Sequence, residues 1–375
     1  MLFKSIPGNH EQKALLVQSI ANGKLAHAQL FHGPEGALNL SLAVAWATYL
    51  HCENRGAEDA CGVCAACSKS LKFIHPDTHF VFPLANVEGD KDEERFKATI
   101  LKQWRVFLGQ HPYGTPDTWA ALYGGEDKQA LISREESREI IKALSLKPFE
   151  SKYKVMIIWQ PETMHSSAAN GILKILEEPP PHTYFILVTN HAEQLLPTIL
   201  SRTQAVSFPL LEDEDLDEQL VAVEPDTLKR KKLVQLAEGN LSAALELAKE
   251  EENQYSSRFA TWMRACYRNN FQEILPMSEE FHEMDRMGQR NFIQYAMLML
   301  REIMLARAGA ASLSRTNGEE RVLAQNMSKV LPVPSLERTY HVLNDASYHL
   351  ERNGSAKMIF MDASLQISTL FGRGA

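Results

Sequence analysis

Two runs near the middle of the chain, Lys154-Val155-Met156-Ile157-Ile158-Trp159 and Tyr184-Phe185-Ile186-Leu187-Val188-Thr189, leave little choice of fold class. Neither alternates apolar with polar residues, as a strand with one wet face does. A strand apolar on both faces must be covered on both, which is the situation in a parallel sheet flanked by helices. Strand-like segments at 27–32, 78–84 and 205–208 and helical patterns at 38–50, 132–144 and 166–176 complete an alternating order. Ser133 and Glu136 form a capping-box pair for the second helix, and Pro179-Pro180-Pro181 stops the third. The expectation is an α/β domain over 1–209 with a parallel sheet. Within it, 88–129 is polar, mixed in pattern and carries Trp104 and Trp119; it reads as an insertion.

Beyond Leu210 the strand signals vanish. Segments 226–237 and 242–251 make a small helical unit around Gly239-Asn240, with Gly239 as a helix cap. A polar hinge follows at 250–253, and the rest is helical. Ile293, Met297, Leu300 and Met304 share one helix face, as do Ile359, Ala363, Ile367, Leu370 and Phe371. Ten of the 13 methionines follow Glu252, which suits either a core or an adaptable protein-binding surface. These signals divide the chain into 1–209, a helical unit at 210–250 and an all-helical region at 251–375.

Four of the five cysteines, Cys52, Cys61, Cys64 and Cys67, lie within sixteen residues. In a reducing compartment such a cluster is not a disulfide framework. Four thiolates can surround one tetrahedral zinc, leaving no position for water, so the site is structural rather than catalytic. Four free thiols in a helix-turn region is the plainer alternative. Cys266, in a helical stretch, reads as core.

The formal charge of −8 argues against a dedicated duplex-DNA binder, which must neutralise phosphates. No apolar run approaches the ~20 residues that cross a bilayer, and the first residues hold no apolar signal core, so a cytoplasmic chain is expected.

The strand at 27–32 runs into Gly33-Pro34-Glu35-Gly36-Ala37-Leu38-Asn39-Leu40 and then a helix, the setting of a phosphate-binding loop. The full motif is G-x-x-x-x-G-K-[ST]. Gly33 fits the first position, and Gly36 lies within the same degenerate loop. Leu38 replaces the second glycine, Asn39 the lysine that reaches the β- and γ-phosphates, and Leu40 the hydroxyl that holds magnesium. The strand at 154–159 ends in Gln160-Pro161-Glu162 instead of the acidic pair that helps hold magnesium. Two halves of an ATP site are missing together, so ATP is not expected to be bound or hydrolysed here.

Several segments resemble the delta-prime-type subunits of bacterial DNA polymerase III clamp loaders, within the AAA+ family. They are Ile6-Pro7-Gly8-Asn9, His27-Ala28, Gly33-Pro34-Glu35-Gly36, the four-cysteine knuckle, His75-Pro76-Asp77 and the run from Ser167 to Pro180 that contains Leu176-Glu177-Glu178-Pro179-Pro180. Thr189-Asn190 resembles the sensor-1 region, Ser201-Arg202-Thr203 the S-R-C stretch with Thr203 in place of Cys, Gly239-Asn240-Leu241-Ser242 the sensor-2 segment, and Arg352-Asn353-Gly354-Ser355-Ala356-Lys357 the collar. The likeness covers roughly four-fifths of the chain and leaves 88–129 unplaced.

The resemblance implies a P-loop-type AAA+ module, made of a parallel-sheet domain and a small helical lid, followed by an all-α collar. It implies a heteropentamer with delta and tau/gamma-type subunits, which uses ATP binding to open a sliding clamp and place it on primed DNA. Arg202 occupies the arginine-finger position, flanked by Ser201 and Thr203; such a finger acts on a neighbour's γ-phosphate and is worth ~10³ or more in rate. Ser242 stands where active members carry a nucleotide-touching arginine. The expected function is a non-hydrolysing subunit of the polymerase complex. The alternatives are an active ATPase subunit of the same machine and a zinc-dependent nucleic-acid-binding module.

Overall fold

In the computed structural model the two apolar runs are adjacent strands of one sheet. The structure describes residues 1–23, 25–85, 93–126, 128–133, 135, 147–249, 253–284, 286–310, 313–314, 316, 318–352 and 354–372. The strands are β1 (Ala28–His32), β2 (Thr78–Val81), β3 (Lys154–Trp159), β4 (Thr183–Thr189) and β5 (Gln204–Ser207), in the order β2-β3-β4-β1-β5. Every pairing is parallel; Met156 stands opposite Phe185, and Leu30 opposite Leu187. All six residues of β3 are buried, as a run without alternation requires. Because β4 separates β3 from β1, the loop after β1 opens at a reversal of strand order, where open α/β sheets place their ligand crevice.

The chain divides into two compact units, Met1–Gln219 with Gly239–Ser242, and Leu220–Glu238 with Ala243–Ala375. In the first unit α1 (His10–Ala21) precedes β1, and α2 (Asn39–His51) follows it. Every residue of α2 is buried, so this helix is the centre of the domain and not a surface layer. Leu30, Met156, Ile158, Phe185 and Leu187 form a core on the sheet with Ile172 and Leu176.

Several expectations need correction. The second strand ends at Val81, not residue 84, since Pro83 has no N–H to continue a ladder; Leu84 makes only an isolated antiparallel bridge to Leu131. Ile132, expected to begin a helix, makes a bridge to Met164 instead. The remainder of the 132–144 prediction, including Glu136 of the capping box, lies largely outside the described residues. The described part of 88–129 is two helices, α4 (Glu93–Gln110) and α5 (Pro116–Tyr123), after the short α3 (Ala65–Ser70). Their Trp104 and Trp119 meet edge to face at 5.1 Å, and Trp104 lies 5.4 Å from Trp159 of β3. The Trp119 indole N–H donates to the Pro83 carbonyl at 2.9 Å. This segment therefore builds core, with aromatic area as its main stabiliser.

α6 (Ser166–Glu177), α7 (Pro197–Leu200) and α8 (Asp213–Leu220) complete the helices before α9 (Thr227–Ala237) and α10 (Leu241–Lys249). The left-handed turn after α9 begins at Glu238 (φ 47°), one residue before Gly239 (φ 85°). The hinge expected at 250–253 falls on residues 250–252, outside the described ones, and on Asn253, which opens α11 (Asn253–Tyr267). The second unit continues with α12 (Phe271–Glu283), α13 (Arg286–Arg307), α14 (Gly318–Val330), α15 (Val333–Glu351) and α16 (Ala356–Gly372). Its core holds Phe259, Trp262, Phe292, Ile293, Leu300, Phe360 and Ile367. Met263 and Met299 are buried there, and Met277, Met284, Met297, Met304, Met327 and Met361 pack partly buried against it, so most methionines are core fillers. Cys266 is buried, and burial pushes its thiol up to about 12. Among the described residues, no helix is long and apolar enough to cross a membrane.

Candidate functional site

Helix α2 carries a candidate site at each end. At its C-terminus Cys52 is the cap residue, and Cys64 caps α3 with its sulfur accepting from the Cys67 N–H at 3.4 Å. Two further backbone N–H groups point at sulfur: Cys61 N–H to Cys52 Sγ at 3.3 Å, and Cys64 N–H to Cys61 Sγ at 3.4 Å. The four sulfurs lie within 4.8 Å of one another, and Cys61 Sγ is 3.9 Å from Cys67 Sγ. Zinc–sulfur bonds of ~2.3 Å in a tetrahedron put sulfurs ~3.8 Å apart, so the donor set fits a metal such as zinc. N–H donation from Val63 and Cys64 holds the Cys61 thiol down to about 6. Burial raises Cys52 and Cys67. Burial thus resists deprotonation of Cys52 and Cys67, and a bound dication would supply the compensating charge.

Residues the sequence reading left without a role tie the knuckle down. The Asp59 carboxylate accepts from the Phe3 and Lys4 N–H groups at 3.1 and 3.0 Å, fastening the loop to the first turn of the chain. His51 stacks on His75 at 4.0 Å, and burial with the His75 ring lowers the His51 pKa to about 3. Asp77 accepts from the N–H groups of Phe149, Glu150 and Ser151, which hold its carboxyl low against the upward push of burial. The His-Pro-Asp triplet was the available signal.

The N-terminal end of α2 is the phosphate-like loop. Gly33 is required there, because a Cβ would meet the Phe208 carbonyl oxygen at 2.2 Å. Gly36 has φ +89°, and a Cβ on it would meet the Asn240 side chain at 2.3 Å. Leu38 and Leu40 are buried, facing core rather than a ligand. Asn39, where a lysine would extend to phosphate, turns inward and donates to the Thr189 carbonyl at 2.9 Å. Asn190 donates to the carbonyls of Gly33 and Pro34 at 3.1 and 2.7 Å. Three carboxamides, those of Asn39, Asn190 and Asn240, therefore pack on or beneath the loop. A role for Asn190 or Asn240 in holding the loop has no local signal, since both lie far from it along the chain. Gln160 takes a left-handed conformation (φ 56°) and starts the turn 161–163. Glu162, two residues on, is pushed up by burial. Ser242 sits in the first turn of α10.

Arg202 lies just beyond α7, a third exposed. Its Nε donates to Glu177 Oε1 at 2.7 Å, and Nη1 donates to the Thr198 carbonyl at 2.8 Å and Ser201 Oγ at 3.1 Å. Thr203 turns its hydroxyl to the Ile199 carbonyl at 3.1 Å. The loop ends of one sheet domain thus carry a loop whose carbonyls are bonded by Asn190 and an arginine that is anchored and a third exposed.

Residues 8–212 match the family described as DNA polymerase III, delta subunit. The chain is 29% identical over 238 residues to DNA polymerase III subunit delta' of Bacillus subtilis, covering 64% of this chain and 58% of that one. It is 30% identical over 199 residues to subunit delta' of Pseudomonas aeruginosa, covering 53% and 48%. It is also 29% identical over 209 residues to subunit gamma/tau of Mycobacterium tuberculosis, covering 56% and 29%. The matches span between 29% and 58% of these relatives' own lengths.

Proposed function

The chain belongs to the DNA polymerase III delta-subunit family, and on that premise we propose that it is a non-hydrolysing, delta-prime-type subunit of a clamp loader. It joins delta and tau/gamma-type subunits in a cytoplasmic heteropentamer, acts on the sliding clamp and primed DNA through that assembly, and supplies Arg202 to a neighbour's ATP site. The observation that carries this reading is the closed loop: Asn39 bonds inward to Thr189, and Asn190 holds the loop carbonyls, while Arg202 remains accessible. A lysine and a hydroxyl are what phosphoryl chemistry needs at residues 39 and 40, and Asn39 and Leu40 offer neither. The guanidinium needs only a neighbour's phosphate. Cys52, Cys61, Cys64 and Cys67 hold structural zinc in this reading, with no coordination position left for chemistry. The division into sheet domain (1–209), lid (210–250) and collar (251–375) is part of the same proposal.

The test is reconstitution with delta and tau/gamma-type subunits. Arg202→Ala should assemble normally and lower the ATPase of the complex; unchanged ATPase removes the finger role. The gamma/tau relative keeps a second reading in play, an active ATPase subunit. ATP hydrolysis by the purified chain, lost in Asn39→Ala, selects that reading.

A further inference from the structure

The guanidinium of Arg202 is already engaged along the edge that a phosphate would use. Nε and Nη2 both donate to Oε1 of Glu177, the last residue of α6. Nη1 is held by the Thr198 carbonyl and Ser201 Oγ, both on the segment that carries Arg202. A guanidinium has five N–H groups, and four are spent here. Recognition of phosphate by arginine uses two parallel N–H groups, which the remaining one cannot provide. The Nη1 anchors are neutral and local, so they set the direction of the side chain without opposing an incoming anion. Glu177 is different: it is an anion on the phosphate-binding edge, reaching across from another helix.

We propose that Glu177 is a positioning residue for Arg202, a weak latch that keeps the guanidinium aimed and charge-compensated until a neighbour's γ-phosphate displaces the carboxylate. This rests on the arginine-finger reading. The exchange trades one anion for another, so Arg202 never becomes a bare cation. The latch is shallow because it is wet: the side chains of Arg202 and Glu177 are 32% and 48% exposed. Pairs of this kind shift an equilibrium by up to about fivefold, enough to set a threshold without blocking the site. A finger that is competent only when unlatched lowers apparent nucleotide affinity by its competent fraction.

The experiment measures the ATPase of the reconstituted complex against ATP concentration for wild type, Glu177→Gln, Arg202→Ala and the double variant. Glutamine keeps the shape of the carboxylate and removes its charge. The expected result is a KM for ATP about two- to fivefold lower in E177Q with kcat unchanged, the difference shrinking as salt is raised. In the Arg202→Ala background, E177Q should shift nothing, since the residue acts only through that arginine. An unchanged or raised KM in E177Q, while Arg202→Ala still lowers turnover, overturns the latch and leaves the finger standing. A shift of equal size in the Arg202→Ala background overturns it as well. If Arg202→Ala itself changes nothing, the finger reading fails first. Should E177Q not assemble, Glu177→Asp draws the carboxylate back by one methylene and should lower KM in the same direction; no change there overturns the latch equally.

Discussion

The two ends of helix α2 each carry a short loop, and the two loops differ in what their polar groups meet. At the C-terminal end the ligand atoms are complete: four sulfurs within 4.8 Å, with backbone N–H groups already aimed at them. At the N-terminal end the polar groups of the loop meet the chain itself: Asn39 donates to the Thr189 carbonyl, and Asn190 donates to the carbonyls of Gly33 and Pro34. The difference lies in where the necessary chemistry is encoded. A metal knuckle is specified by a few side chains close in sequence. A phosphate loop is a backbone cradle, and what surrounds it depends on residues distant in sequence. Two glycines survive at this end for packing reasons, against Phe208 and Asn240, so their presence says nothing about nucleotide.

The comparison breaks most visibly at the metal end. The purified chain should carry about one zinc, and Cys61→Ser with Cys64→Ser should lose it and cost roughly 5 kcal/mol or more of stability, as loss of a structural metal does. Metal analysis and thermal melts check this; a metal-free chain of undiminished stability ends the contrast. At the other end, restoring the motif lysine should not restore the site. Asn39 is buried, so Asn39→Lys places an unpaired charge in the core and should cost about 3 kcal/mol, with fluorescent ATP still giving a flat titration. Saturable ATP binding by that variant would mean the loop is open after all.

A smaller effect sharpens the metal end through pH. His51 is held near 3 against an ordinary value of about 6.5, so the unfolded chain binds a proton that the folded chain refuses. Its contribution is present above pH ~6.5 and is lost progressively on acidification toward pH 3. Urea unfolding across that window should show a shallower pH slope in His51→Gln than in wild type. The smallest effect belongs to Asn190→Ala. Losing the bonds to Gly33 and Pro34 should cost about 1 kcal/mol by urea unfolding, with little change in the rest of the domain.

Much of the α/β domain is legible in the sequence. Val155 to Ile158 and Phe185 to Val188 could be covered only by a parallel sheet with two helical layers, and β3 and β4 are those strands. The four cysteines announced their cluster by spacing alone. The stretch 88–129 was not legible, because Trp104 and Trp119 owe their burial to Phe82 and Trp159, partners far away in sequence. Glu177 was visible only as a letter in the Glu-Glu-Pro-Pro run, since nothing local says that the end of one helix meets an arginine 25 residues on.

By itself the sequence determined the strand class, the helical second half and the thiol cluster, because each depends on residue types at short spacing. Tertiary structure alone decided that Asn39 bonds to Thr189 and Asn190 to the loop carbonyls, that α2 is wholly buried, and that Arg202 is met by Glu177. Those depend on which strand ends and helix ends come together at one edge of the sheet. That placement follows from the strand order β2-β3-β4-β1-β5, a property of the whole domain that no short stretch of chain contains.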